Sequence, residues 1–141
     1  MSISSVFKSA MTVTGAFLGY FFGDLDGFIY VIVTVVVIDY ITGVMCAIVK
    51  RQLSSGIGFK GIFRKICIFF LIGIGHVLDV FILDEIYVFR TIIIFFYTAN
   101  ESISIIENAA FLGLPIPSNL IAVLQQLKKK GGDTKEDKKD K

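Results

Sequence analysis

The stretch VVVIDYITGVM, residues 35–45, places Asp39 near the middle of an otherwise apolar run. An isolated carboxylate in apolar surroundings is costly unless it has a partner. The identity of that partner depends on whether the run lies in a soluble core or in a membrane, and the composition of the surrounding sequence distinguishes these two cases.

The composition is that of a membrane protein. Hydrophobic residues make up 55% of the 141 residues, phenylalanine alone contributes 14, and the mean hydropathy is +0.77. Residues 128–141 hold 7 of the 14 Lys and Arg and 4 of the 12 Asp and Glu, so the rest of the chain is sparsely charged. A soluble fold needs polar faces along its length. The net charge of +2 does not indicate nucleic-acid binding.

Four apolar segments are predicted to be helices, because an isolated strand cannot satisfy its backbone polar groups in lipid. A helix needs about 20 residues to cross a hydrocarbon core of about 30 Å. The segment at 27–49 is long enough, whereas the other three are marginal or short. The four segments are about 9–23, 27–49, 66–83 and 86–106.

We therefore predict an all-α integral membrane protein with three or four transmembrane helices. The number depends on whether segment 9–23 spans the membrane or lies on or outside it. Residues 1–112 form the transmembrane domain in this prediction, and residues 113–130 form a short cytoplasmic amphipathic helix that Ser118 caps. Residues 131–141 contain no apolar residue and are predicted to be a disordered charged tail.

The connection at 50–65 is basic and contains no acidic residue. By the positive-inside rule this loop is cytoplasmic, and the tail then lies on the same side of a multi-pass membrane protein. Contact between this loop and anionic lipid head groups is a further expectation. The basic residues are Lys50, Arg51, Lys60, Arg64 and Lys65.

Asp39 does not prevent insertion of segment 27–49. A central Asp costs about 2.5–3.5 kcal/mol on the insertion scale, whereas the 13 Leu, Ile, Phe and Val residues of the segment return roughly 4–8 kcal/mol. Thr42 and Gly43 lie on the same helical face and allow another helix to approach closely. Two roles for Asp39 stay open at this point: a carboxyl group that joins two helices, or one that lines a water-filled space.

Segments 66–83 and 86–106 carry three further polar candidates. His76 and Asp79 are three residues apart and share a helical face, which predicts a polar seam between helices. Arg90 is expected to snorkel to the interface or to pair with Asp79 or Glu85. No nucleophile with an adjacent base and no set of metal ligands is visible, so we predict neither an enzyme nor a cofactor.

Three stretches taken together give the chain its resemblance to a known family: DYITGVMCAIVKRQLSSGIGFKGIFRKI (39–66), HVLD (76–79) and NESISIIENAAFLGLPIPSNLIAVLQQL (100–127). The chain resembles the small holins of phage-lysis and toxin-secretion loci. Asp39, Thr42 and Gly43 are positions of the family's motifs. The other motif positions are Ser55, Gly56, Gly61, Lys65, Glu101, Ser104, Glu107 and Asn108.

The resemblance implies a non-enzymatic protein that accumulates in the bacterial cytoplasmic membrane, assembles into homo-oligomers and forms pores or lesions. These lesions release an endolysin, which is a cell-wall hydrolase, or a large toxin. The resemblance does not imply that either one binds the protein directly. The resemblance assigns none of the motif residues to a pore wall. Two alternatives remain: a small ion-conducting channel or pinhole former, and an antiholin-type regulatory protein.

Overall fold

The computed structural model describes residues 2–84, 86–123 and 126, and the described residues form helices without strands. Four long helices follow one another along the chain, and residues 118–123 are also helical. The predicted all-helical fold is confirmed. The long helices are α1 (Ile3–Phe22), α2 (Gly27–Val49), α3 (Ser55–Phe81) and α4 (Val88–Phe111).

Side-chain caps fix where the first three helices begin. The side chain of Ser2 accepts a hydrogen bond from the backbone N–H of Ser4 at the start of α1. Asp26 accepts from the N–H groups of two residues in the first turn of α2, and Ser54 does the same for one N–H of α3. Such caps satisfy backbone donors that have no partner within the helix.

The connection between α2 and α3 is shorter than the sequence predicts. Because Ser54 caps α3, only residues 50–54 lie between the two helices, and the predicted loop 50–65 is wrong from Ser55 onward. Lys60, Arg64 and Lys65 belong to α3. The apolar run that begins at residue 66 marks where the helix becomes oily and does not mark where the helix begins.

Helices α2, α3 and α4 form a bundle with an aliphatic core. α2 and α4 run in the same direction and α3 runs in the opposite one, so both ends of the bundle contain residues from all three helices. We call them the acidic end, at Asp24 and Asp26, and the basic end, at Lys50 and Arg51. The core consists of Ile29, Ile32, Val36, Ile68, Ile72 and Ile94.

Helix α1 lies outside this core and has no buried residue. Its last turn contacts α3, where the ring of Phe21 lies against Gly73 and Phe22 packs edge-on against Phe69. The chain then turns at Gly23, whose φ of 75° is a backbone conformation that favours glycine. Earlier positions such as Gly15 and Gly19 have open space around them.

Helices α2 and α3 are both long and apolar enough to cross a membrane. Only 22% of the apolar window of α2 and 28% of that of α3 is buried within the chain. A core helix of a soluble protein is mostly buried, so these two helices present apolar surface to lipid or to other chains. The prediction of three or four spans remains a prediction.

Candidate functional site

Lys65 joins three helices through two buried ion pairs. Its Nζ binds Oδ2 of Asp39 on α2 and Oε2 of Glu101 on α4. All three residues are more than nine-tenths buried, with exposures of 6% for Lys65, 4% for Asp39 and 2% for Glu101. We call these three residues the charged triad.

The helix directions explain why these residues meet. Asp39 lies 12 residues after the start of α2 and Glu101 lies 13 residues after the start of α4. At a rise of 1.5 Å per residue, both lie about 20 Å from the acidic end of the bundle. Lys65 precedes Asp79, which lies at that end, by 14 residues, or about 21 Å. The three side chains therefore reach the same level from three different helices.

Neutral groups extend the charged triad toward the basic end. Nδ2 of Asn108 lies 3.0 Å from Oγ1 of Thr42 and 3.4 Å from Oδ1 of Asp39. The thiol of Cys46 contacts the backbone carbonyl of Asn108. Gly43 lies beside this contact, where an added Cβ would be at an ordinary van der Waals distance of 3.8 Å from Nδ2 of Asn108. The Asp39 face of α2 thus meets a polar face of α4.

Pairing offsets much of the cost of these charges in an apolar setting. A buried ion pair is tolerated when its remaining lone pairs and protons are also hydrogen-bonded. Here the carboxylate of Asp39 accepts hydrogen bonds from both Lys65 and Asn108. The triad contains two carboxylates and one ammonium, so its charges do not balance within the chain. The structure therefore places Asp39 in a contact between helices.

Arg90 holds the turn between α1 and α2 at the acidic end. Its Nε donates to the carbonyl of Phe22 at 2.8 Å, and Nη2 donates to the carbonyl of Asp24 at 2.8 Å. Nη1 and Nη2 bind the two carboxylate oxygens of Asp26 at 3.0 and 3.2 Å. The expected pairing of the Arg90 side chain with Asp79 is wrong, because the guanidinium binds Asp26 and two backbone carbonyls instead. Glu85, the other expected partner, lies outside the described residues.

The pKa of Asp26 is lowered from its usual value, mainly by the hydrogen bonds from the Arg90 side chain. Burial raises it in part, and the backbone N–H groups of Ile29 and Phe28 together with the positive charge of Arg90 lower it further. Arg90 itself is 4% exposed. A bidentate guanidinium–carboxylate pair is geometrically specific, so this clamp fixes the turn against α4.

Asp79 is used to begin α4. Its carboxylate accepts hydrogen bonds from the backbone N–H groups of Val88, Phe89 and Arg90 at 3.1, 2.8 and 2.8 Å. α4 has no side-chain cap from its own N-cap residue, so α3 provides the cap. An anion at this position also interacts favourably with the helix dipole.

His76 lies on the same face of α3 as Asp79 and packs between two neighbours. Its ring is parallel to that of Tyr87, with centroids 6.1 Å apart. An added Cβ on Gly23 would lie 2.8 Å from His76 Nδ1, so the turn after α1 passes directly over the imidazole. His76 Nδ1 has no hydrogen-bond partner among the described residues.

The remaining predicted residues lie around the basic end. Ser55 and Gly56 are exposed in the first turn of α3, and Ser104 and Glu107 are partly buried in α4. Gly61 lies beneath the ring of Tyr40. Lys50 lies over the ring of Phe111, with Nζ 4.3 Å from its centroid. None of these residues forms part of the charged triad.

A family model described as the bacteriophage holin family matches residues 16–129 of the chain. The match covers α2, α3 and α4 and therefore the charged triad. The chain belongs to the bacteriophage holin family. The predicted resemblance is confirmed, and the family together with the two apolar helices indicates that this holin-family chain is a membrane protein.

Similar chains occur in species of Listeria and Clostridium. An uncharacterized protein of Listeria innocua is 40% identical over 93% of this chain and 93% of its own length. Another, from Listeria monocytogenes, has the same identity and coverage. A 14.9 kDa protein encoded in the nagH 3′ region of Clostridium perfringens is 35% identical over 92% of this holin-family chain and 98% of its own. No solved structure matches the chain.

The pairing within the charged triad was missed by sequence reasoning, although all three residues were named. Lys65 was assigned to the cytoplasmic loop 50–65, because that stretch contains five basic residues and no acidic one. The available signal was the spacing of Gly58, Gly61 and Lys65, which are three and four residues apart and so share one helical face. In this holin-family protein the two glycines of that face lie against Tyr40 of α2.

Proposed function

We propose that this chain is a holin that oligomerises in the bacterial cytoplasmic membrane and opens lesions there. Membership of the bacteriophage holin family, over residues 16–129, is the observation that carries the proposal. The lesions release an endolysin or a large toxin from the cytoplasm, and neither cargo needs to bind the protein. Two long apolar helices and the paucity of charge along most of the chain support this function.

The geometry supports a resting state in which each chain satisfies its own polar groups. Asp39, His76 and Asp79 are all buried within one chain, and Asp39 and Asp79 have partners there. Opening therefore requires the bundle to exchange internal contacts for contacts with water or with other chains.

In this proposal the charged triad holds α2, α3 and α4 together until that exchange. The cost of separating a buried ion pair falls when water reaches both partners. Several chains that open together can surround a common aqueous space, into which Asp39, Lys65 and Glu101 then project. A chain that opens alone would expose the same groups to lipid, so opening is expected to be cooperative.

Apolar surface for assembly is present on every long helix. On α1, a Cβ added at Gly15 or Gly19 would meet no atom within 4 Å among the described residues, and small residues allow helices in a membrane to approach closely. Our proposed orientation places the basic end and the C-terminal residues in the cytoplasm. The function requires neither catalysis nor a cofactor.

The proposal is tested by inducible expression in a bacterium that carries a cytoplasmic reporter enzyme. Membrane potential and reporter escape are followed together, with a co-expressed endolysin that lacks an export signal. An inactive variant of that endolysin serves as the matched control. We expect abrupt depolarisation, reporter escape and lysis that depends on the active endolysin.

The same experiment separates the two alternatives. Depolarisation without escape of the reporter or of the endolysin would instead identify a small ion-conducting channel. If neither occurs although the protein is found in the membrane, the chain does not form lesions by itself. An antiholin-type role would then be tested by co-expression with a holin whose lysis time it should delay.

A further inference from the structure

A crevice separates α2 and α3 between the charged triad and the basic end. It has a volume of about 170 Å³ and is open on one side. One wall is formed by residues of α2 from Asp39 to Ala47, and the other by residues of α3 from Ile57 to Lys65. Leu53, in the connection between the helices, also lines the crevice.

Small residues face the crevice from both helices, and the ring of Tyr40 extends between them. Gly43 and Ala47 face it from α2, and Gly58 and Gly61 face it from α3. An added Cβ on Gly58 would lie 3.6 Å from Oη of Tyr40, and one on Gly61 would lie 3.5 Å from Cε2 of the same ring. Tyr40 thus fills part of the gap and leaves the rest open.

The rim of the crevice is cationic. Arg64 lines it, and Lys60 lies one helical turn before Arg64 on α3, beside the lining residues and not among them. Both side chains are exposed. The segment 50–65 contains five basic residues and no acidic one, and Asp39, at the closed end of the crevice, is already bound by Lys65.

We propose that this crevice binds one anionic phospholipid. An acyl chain lies along the apolar walls, and the phosphate group binds between Lys60 and Arg64. A lipid without net charge would leave the two basic side chains without a partner, whereas an anionic lipid complements them.

Binding of this lipid would join α2 to α3 along the crevice that separates them. Each basic residue near an anionic surface contributes about a five-fold increase in binding. The bound lipid would stabilise the resting bundle next to the charged triad. The site depends on the family's membrane location and does not depend on lesion formation, because it is a property of the closed chain.

The test uses a tryptophan introduced by Leu53→Trp into the full chain, which has no native tryptophan. Leu53 lines the crevice and its side chain is accessible, with 53% exposure. The protein is reconstituted in two kinds of bilayer, both made of phosphatidylglycerol and phosphatidylcholine. In one the phosphatidylglycerol carries brominated acyl chains, and in the other the phosphatidylcholine does. We expect brominated phosphatidylglycerol to quench the indole more than brominated phosphatidylcholine does at equal mole fraction.

Two pairs of variants in the Leu53→Trp background decide whether the preference comes from this crevice. Lys60→Gln with Arg64→Gln should lower the preference at least several-fold, whereas Lys8→Gln, an exposed lysine of α1, should not. Ala47→Phe should fill the crevice and abolish the preference, whereas Ala10→Phe on the exposed face of α1 should leave it unchanged.

Three outcomes would overturn the proposal. Equal quenching by the two lipids means that ordinary boundary lipid covers the crevice. A preference that survives removal of Lys60 and Arg64 places the anionic lipid elsewhere. An indole that neither lipid quenches means that protein occupies the crevice. Each readout is independent of lysis, so failure of this proposal and failure of the proposed function are distinguishable.

Discussion

At the scale of single residues, Lys65 is the cation that two buried carboxylates share. Its ammonium is the counter-charge for both Asp39 and Glu101, and the three side chains come from three different helices. Removing one partner from a buried ion pair leaves an uncompensated charge, which costs more than the pair itself contributes. The triad therefore makes the association of α2, α3 and α4 depend on one side chain.

Lys65→Met is expected to destabilise the protein by about 3–5 kcal/mol, because two buried carboxylates then face each other without a cation. The measurement is the thermal unfolding midpoint in detergent. Lys60→Met is the matched control on the exposed side of α3 and should change stability by about 0.5 kcal/mol or less. Joint replacement by Asp39→Leu, Lys65→Met and Glu101→Leu should recover most of the loss. Equal midpoints for the two single variants would contradict this role of the triad.

Asp39→Asn preserves the shape of the side chain and removes its charge. If the triad restrains opening, this variant should depolarise the membrane earlier than the unaltered chain does at matched membrane levels. Onset time after induction is the measurement, with Asp24→Asn, at the acidic end, as a control of equal charge change. Unchanged timing would remove Asp39 from the opening step.

The Asp26–Arg90 clamp predicts a pH dependence of stability. Because the folded-state pKa of Asp26 is lowered, its contribution is fully present above the usual carboxyl pKa and is lost as the pH falls through the lowered value. The side chain of Asp26 is 35% exposed, so solvent screening reduces the effect.

Asp26→Asn is the variant that isolates the ion pair, because Asn still caps the start of α2. The difference in unfolding midpoint between the unaltered chain and Asp26→Asn should be largest near pH 7 and should shrink toward pH 3. A difference that is independent of pH would show that the clamp acts through hydrogen bonds alone.

At the scale of elements, the start of α4 depends on α3. Asp79 caps three N–H groups of α4, and the two helices approach most closely one turn away at Gly75. An added Cβ on Gly75 would lie 2.8 Å from Cδ1 of Ile93 and 3.0 Å from the backbone N of Arg90. The second contact is with backbone, which cannot move aside as a side chain can.

Gly75→Ala should therefore destabilise the bundle by about 1–3 kcal/mol, as expected for overpacking. Gly15→Ala is the matched control within another helix, where nothing lies within 4 Å of the added methyl group. It should be neutral or stabilising, since alanine favours helix more than glycine does. A comparable loss for both variants would refute the close approach of α3 to α4. Thermal unfolding in detergent distinguishes these results.

At the scale of the whole molecule, three helices share a core and α1 is attached to it by its last turn. Two polar layers, about 20 Å apart, enclose the aliphatic core. One contains Asp26, Arg90 and Asp79 and the other contains the charged triad. This arrangement buries five charged residues inside the bundle, while many large apolar side chains of the same helices face outward. The five are Asp39, Lys65, Asp79, Arg90 and Glu101.

Membrane topology follows as a prediction at this scale. In a chain with Cys46→Ser and Cys67→Ser, a cysteine introduced by Asp24→Cys should react with a membrane-impermeant maleimide in intact cells with a permeable outer layer. One introduced by Gln52→Cys should react only after the cytoplasmic membrane is opened. Ser2→Cys decides the number of spans: reaction only after opening indicates four, and reaction in intact cells indicates three. Reaction at position 52 in intact cells would reverse our proposed orientation.

The sequence by itself determined the class of fold and the family. Long apolar runs with few charges specify helices in lipid, because the backbone has no other means of satisfying its polar groups there. The motif stretches beyond residue 38 were sufficient for the resemblance to holins. Asp39 was also recognisable, since a charged group in the middle of an apolar segment stands out, whereas Lys65 and Glu101 were named only as motif positions and, for Lys65, as part of the basic loop.

Only the tertiary structure decided which polar groups are partners. Lys65 pairs with residues 26 and 36 positions away along the chain, and Arg90 binds a turn more than 60 positions away. Such pairs depend on helix direction, on the level at which each helix begins and on the close approach that glycines allow. Local sequence specifies the period of a helix, whereas the rotation and depth of one helix against another follow from packing across all of them.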